Sequence, residues 1–162
     1  NIGWMVHGLV IGQVNLVVPN LVGMFCTSIV LWFLATDHGR PLYRIALPGL
    51  WVGAGMIATD LLFGSAVYGV IAVLPAVVAN VGGSVELVRA PSVIGVSPVA
   101  LIGNVLNQLL WSVWGLLVSD SGTIIAAGVT LVIALFNQVW WILRRLGLRP
   151  LLVRPGVYVE AS

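Results

Sequence analysis

Two tryptophans and two asparagines carry most of the chemistry this sequence could perform: Trp4, Trp111, Asn20 and Asn107. An indole presents a flat apolar face that stacks on the C–H face of a pyranose or another planar ligand, and its N–H donates one hydrogen bond. A carboxamide offers a solute hydroxyl both donors and an acceptor. The same residue types also have structural uses. Membrane tryptophans populate interfacial belts, and a buried asparagine can join two helices or satisfy backbone freed by a proline such as Pro19. Repetition sets Trp4 and Trp111 apart from Trp32, Trp51, Trp140 and Trp141, which read as belt residues. A shift of 107 residues lays Trp4 on Trp111, Val6 on Val113, Gly8 on Gly115 and Leu9 on Leu116. Asn107 precedes Trp111 by one helical turn and so shares its face.

The ionisable residues promise less. A carboxylate within a span would suggest proton coupling, but Asp60 and Glu86 fall close to expected helix ends, where they reach water. Glu86 is also three residues from Arg89. Asp120 belongs to a turn and is expected to be solvated, and His7 is expected at the outer interface. His7 and His38 lie far apart, without metal-ligand spacing to Cys26 or a carboxylate. No catalytic constellation or phosphate-cradling glycine loop is present, and no enzyme, metal or cofactor is expected. The lone Cys26 lies in an apolar run, so no intrachain disulfide can form.

The elements that would position these residues are membrane spans. Apolar residues make up 60% of the chain and charged residues 7%, against about 25% charged in a soluble domain. Mean hydropathy is +1.11. Too few polar side chains exist to cover a globule, so the expected surroundings are lipid. A spanning helix needs about 20 mostly apolar residues. Residues 1–12 are too few and read as the last part of a helix whose beginning is absent. Gln13 and Asn15 are expected to turn the chain. Spans follow at Val14–Ala35, 45–62, 65–88, Val99–Val118 and Thr123–Leu143. The breaks contain Gly, Pro and charge, as at Asp37-His38-Gly39-Arg40-Pro41 and Arg89-Ala90-Pro91-Ser92. Gly49, Gly53 and Gly55 would let neighbours approach the second full span closely.

Arginine placement gives an orientation. All seven basic residues are arginine. Alternating sides along the spans puts Arg40, Arg44, Arg89, Arg144, Arg145, Arg149 and Arg154 together, and none on the side of Gln13, Asp60–Ser65 and Ser119–Gly122. The positive-inside rule makes the first side cytoplasmic, with the C-terminus there. A net charge of +2 is too small and dispersed to suggest nucleic acid.

Each repeat is the end of one apolar helix, a polar turn and the start of another. An odd number of extra helices between copies gives both the same orientation, as in parallel transporter repeats. Trp4-Met5-Val6-His7-Gly8 followed by Pro19-Asn20, and Asn107 to Gly115 with Trp111, resemble the SWEET and SemiSWEET sugar transporter family. Ser92-Val93-Ile94-Gly95-Val96-Ser97 resembles that family's turn between the first two helices of a unit. The resemblance covers nearly all of residues 1–143. It implies an all-α integral membrane fold of three plus one plus three helices, with the first helix and part of the second missing. Residues 1–35 would end the first triple-helix unit, 36–64 supply a loop and linker helix, 65–143 form the second unit and 144–162 a cytoplasmic tail. Where a second asparagine is usual the chain has Ala127. Asn80 or Gly82 stands where a hinge proline is usual, with Pro75 a turn earlier and Pro98 near the matching place on the next helix.

The function implied is facilitated uniport of a mono- or disaccharide by alternating access, through a central pocket between two helix bundles. Trp4, Asn20, Asn107 and Trp111 would bind the solute, while Asn80, Pro19, Pro75 and Pro98 would serve as pocket or hinge residues. Uniport is preferred because no buried charge pair is expected. A homo-oligomer in the plasma membrane is compatible with this. Two other readings stay open: a carrier of a vitamin, nucleoside or amino acid on the same fold, and a membrane scaffold subunit that transports nothing.

Overall fold

The computed structural model describes residues 1–151; the segment containing Arg154 and Pro155 lies outside the described residues. The described chain is helical, with α1 at Ile2–Val10, α2 at Val14–Asp37, α3 at Leu42–Phe63, α4 at Ser65–Arg89, α5 at Pro98–Val118 and α6 at Ser121–Arg145. Helices α2 to α6 are each long and apolar enough to cross a bilayer. Along α2, Val18, Leu21, Phe25, Ile29 and Phe33 are exposed, and only Leu16 and Ala35 are buried. Such a surface suits lipid and not water. The protein is an all-α, multi-pass integral membrane protein.

The helix ends follow from local chemistry. Gly39 and Gly64 take the left-handed backbone conformation, which glycine alone adopts without penalty. Pro98 is the first residue of α5, where its missing N–H costs nothing, and Ser97 Oγ caps that helix by accepting from Ala100 N at 3.3 Å. Pro98 therefore starts a helix and does not break one. Pro19, Pro48 and Pro75 lie inside α2, α3 and α4. Asn15, expected in the first turn, is helical; that turn is Ile11–Gln13.

The repeat is visible as two hairpins, α1–α2 and α5–α6, closed in the same way. Gln13 N donates to Gly8 O at 2.7 Å, and its counterpart Asp120 N donates to Gly115 O at 2.9 Å. Gly12 N donates to Leu9 O and Ser119 N to Leu116 O, each at 3.3 Å. Gly12 (φ +71°) and Ser119 (φ +56°) both take the left-handed conformation. A β-carbon on Gly8 would lie 2.7 Å from Leu16 Cβ, and one on Gly115 would lie 3.1 Å from the backbone nitrogen of Ile124. Glycine is needed at both places to bring the paired helices together.

The copies differ at the turn's two special positions. The first copy has Gly12 where the second strains Ser119, and an L-residue there costs roughly 1–2 kcal/mol. Gln13 caps α2 with no side-chain bond. Asp120 caps α6, accepting from Gly122 N at 3.3 Å and Thr123 N at 3.0 Å. Asp120 is thus buried and engaged, contrary to the expectation of a solvated turn residue. We predict that Ser119→Gly stabilises the protein by about 1 kcal/mol, read as a higher thermal midpoint in detergent.

The chain divides into two compact units, with the boundary inside α4 between Ile71 and Ala72. In the first, α1 and α3 run parallel along a seam of small residues. A β-carbon on Gly3 would meet Met56 at 2.8 Å, and one on Gly53 would collide with Ile2. Gly49 and Gly55 face open space, so Gly53 alone of the three carries the close approach. In the second unit, α6 buries Gly122, Ala126, Thr130, Ala134 and Asn137 on one small-residue stripe.

Arg144 ends that stripe and is not the interfacial charge its position suggests. It is 8% exposed. Its guanidinium donates to four carbonyls at the end of α4: Leu87 (3.2 Å), Val88 (3.4 Å), Ala90 (2.7 Å) and Pro91 (3.2 Å). The last carbonyls of a helix have no partner of their own and carry partial negative charge. A forked cation answers both needs. Arg145, by contrast, is exposed, with its guanidinium 5.9 Å from the Trp141 ring centroid.

Candidate functional site

The seam that brings α1 against α3 continues into a buried polar cluster. From Gly3, one turn along α1 reaches His7; from Gly53 and Met56, the next inward position on α3 is Asp60. His7 Nδ1 and Asp60 Oδ2 share a hydrogen bond of 2.8 Å, with side chains 0% and 2% exposed. The start of α4 supplies Tyr68, fully buried, whose ring stacks on the His7 imidazole with centroids 4.4 Å apart and planes inclined by 14°. Trp4 packs edge-on against Tyr68 at 5.1 Å and against His7 at 5.8 Å.

This arrangement corrects three expectations. Asp60 does not reach water from its helix end; it is sealed. His7 is not interfacial but buried and paired. The reason for preferring uniport, that no buried charge pair exists, therefore falls. The sequence did carry a signal: Gly3 and His7 are spaced i, i+4, and Gly53, Met56 and Asp60 are spaced i, i+3, i+7, so each set lies on one helix face. The two helices share no local sequence relation, so the pairing itself could not be read. Glu86, in contrast, is exposed.

Trp4 is half-buried, with an edge toward this cluster. Asn20 is half-buried on α2 and donates one amide hydrogen to Leu16 O at 2.8 Å. Pro19, beside it, is exposed.

The second unit has a polar ladder of its own. Asn104 Nδ2 donates to Asn80 Oδ1 at 3.4 Å, Gln108 Nε2 donates to Asn104 Oδ1 at 3.4 Å, and the Thr130 hydroxyl lies 2.8 Å from Gln108 Oε1. Three helices contribute: α4 through Asn80, α5 through Asn104 and Gln108, α6 through Thr130. Asn80 is anchored to its own helix by a 2.8 Å bond to Ala76 O. Asn104, Gln108 and Trp111 follow one another at i, i+4 and i+7, so half-buried Trp111 stands at the end of the ladder, edge-on to Trp114 at 5.5 Å. Asn107 is exposed and lies one step round the helix from this line. Pro75 is also exposed.

Ala127 is buried on the packed stripe of α6 and offers its carbonyl 3.1 Å from Thr130 Oγ1. Gln108 supplies an amide on the facing helix, 2.8 Å from Thr130 Oγ1, although no sequence expectation named it. Helical phasing could have found it, since Gln108 lies i+4 from Asn104 and i−3 from Trp111. Among the described residues, no group of three or more His, Cys, Asp or Glu side chains could hold a metal ion.

The chain is thus a polytopic membrane protein whose first unit buries a pair of ionisable groups and whose second carries a string of amides. Comparison with family models, with curated proteins and with solved structures gives no match for this chain.

Proposed function

We propose that this protein is an alternating-access transporter of small neutral solutes, with mono- or disaccharides as the leading class. The observation that carries the reading is the duplicated hairpin: identical turn bonds, each preceded by an equivalently placed tryptophan, Trp4 and Trp111. Repeats of this kind are a transporter's way of building a pathway from two similar halves. In this reading α4, α5 and α6 are one triple-helix unit, α1 and α2 belong to the other, and α3 is the linker. Each copy contributes a stacking indole and an amide, Trp4 with Asn20 and Trp111 with Asn107. Within the second unit, the ladder through Asn80, Asn104 and Gln108 adds further hydrogen-bonding groups. The arginine-rich ends of the helices face the cytoplasm.

Every contact offered to the solute is a stacking face or an uncharged hydrogen-bonding group, which suits a polyol. The lack of an amide at Ala127 leaves room for a vitamin or nucleoside with an apolar ring as the solute. Uptake of radiolabelled glucose and sucrose into cells making the full-length protein tests the site. Trp111→Ala and Asn20→Ala should each lower uptake at least tenfold while membrane levels of the protein hold, a tenfold loss being about 1.4 kcal/mol. Unchanged uptake in both variants sinks the site assignment.

A further inference from the structure

We infer that the His7–Asp60 pair is a proton-carrying site, so that solute movement through this protein is linked to the movement of one proton. The inference rests on the transporter reading and gives it an energy source.

Charge is the first argument. Sealed among apolar helices, the pair is neutral overall when it holds one dissociable proton, whether on Nδ1 or on the carboxyl oxygen. Removing that proton leaves a buried anion, and adding a second leaves a buried cation; both are strongly disfavoured without water. The pair therefore keeps its proton while occluded and can exchange it when water reaches it. A group with that property carries a proton across if it meets water from one side and then the other. No bond to the solute forms or breaks. The proton arrives from water, resides on the pair and leaves to water.

The choice of residue is the second argument. A purely structural pairing in this chain uses arginine, as Arg144 does at the end of α4. Histidine is the side chain whose ordinary titration range spans physiological pH. Asp60 from α3 and the phenol of Tyr68 from α4 face it. On α2, Leu16 and Val17 pack against Gly8, and that helix's titratable side chains, Cys26 and Asp37, lie more than two turns further along. The cations of the first unit, Arg40, Arg44 and His38, sit at the far ends of α2 and α3.

Position is the third. Asp60 is one turn before the break at Gly64, and His7 is one turn before the break at Ile11–Gln13. The ring of Tyr68 and the edge of Trp4 pack against the imidazole. Both side chains thus sit near helix ends, and a shift of these rings is part of the opening that admits water.

The test uses the full-length protein in liposomes with a pH-sensitive dye inside, and radiolabelled glucose and sucrose as probes. Counterflow of the two sugars is measured first, then their uptake under an imposed pH gradient. Coupling to one proton predicts accumulation above the outside concentration, up to about tenfold per pH unit, and a dye signal when sugar enters. The double variant His7→Gln/Asp60→Asn keeps a donor–acceptor contact of similar shape with nothing to titrate. It should purify as a monodisperse protein and lose both the accumulation and the dye signal. Counterflow in the wild type that ignores the pH gradient overturns the proton site and leaves the transporter reading standing. Accumulation that survives in the double variant overturns the assignment to this pair. Absence of counterflow with both sugars removes the saccharide reading and the coupling built on it.

Discussion

Replacing Asp60 by alanine should destabilise the protein by about 3–5 kcal/mol, the usual result of removing one partner from a buried ion pair. His7 would remain at the centre of a sealed cluster, stacked on Tyr68 at 4.4 Å, with its 2.8 Å partner gone. For a protein of this size each kcal/mol moves the thermal midpoint by about 2–4 °C, so a fall of about 10 °C is expected. Asp60→Asn should lose far less, because the amide still bonds to the ring. The sharper measurement is the double-mutant cycle with His7→Ala. Groups in direct contact are strongly non-additive, so the double variant should be scarcely less stable than either single one. Additive losses would mean that the pair is not formed in the membrane-embedded protein.

Arg144→Ala carries the second large effect, about 3 kcal/mol, since hydrogen bonds to a charged group are worth about 1.5–3 kcal/mol. Four carbonyls at the end of α4 lose their donor together. The contact joins residues more than 50 positions apart in sequence, so its loss should unfasten α4 from α6 and not merely fray a helix end. Leu151 N, which donates to Val88 O at 2.9 Å, belongs to the same junction. Arg144→Lys should recover only part of the stability, because an ammonium is a point charge and cannot fork across several acceptors. Arg145→Ala is the control: its side chain is exposed, and its removal should shift the midpoint little. Equal effects at the two arginines would contradict the junction.

The helices were legible because lipid imposes a strong rule: long apolar runs broken by Gly, Pro and charge. Val14, Ser65 and Val118 are helix ends that the runs alone locate. The repeat was legible for a similar reason, since Gly8 and Gly115 are fixed by close helix approach and cannot drift. Much of the polar interior was less so. Asp60 looked like an end-of-helix carboxylate because one-dimensional position says nothing about which face a residue occupies or what covers it. Arg144 looked like a topology signal because arginine near a helix end usually is one. Asn107 stands out by its place near Trp111, whereas the hydrogen bonds run through Asn104 and Gln108, which share a line further round the helix on one side of it. Each of these depends on helix packing between segments distant in sequence, and that information sits in small seam residues such as Gly3 and Gly53 rather than in the polar residues themselves.

Solute counterflow decides whether this protein moves sugars at all. Liposomes containing the full-length protein are loaded with unlabelled sugar and diluted into trace radiolabelled glucose or sucrose. A transporter predicts a transient, saturable influx of label that Trp111→Ala abolishes. Label entry no faster than in protein-free liposomes, with either sugar, would contradict the saccharide transporter reading.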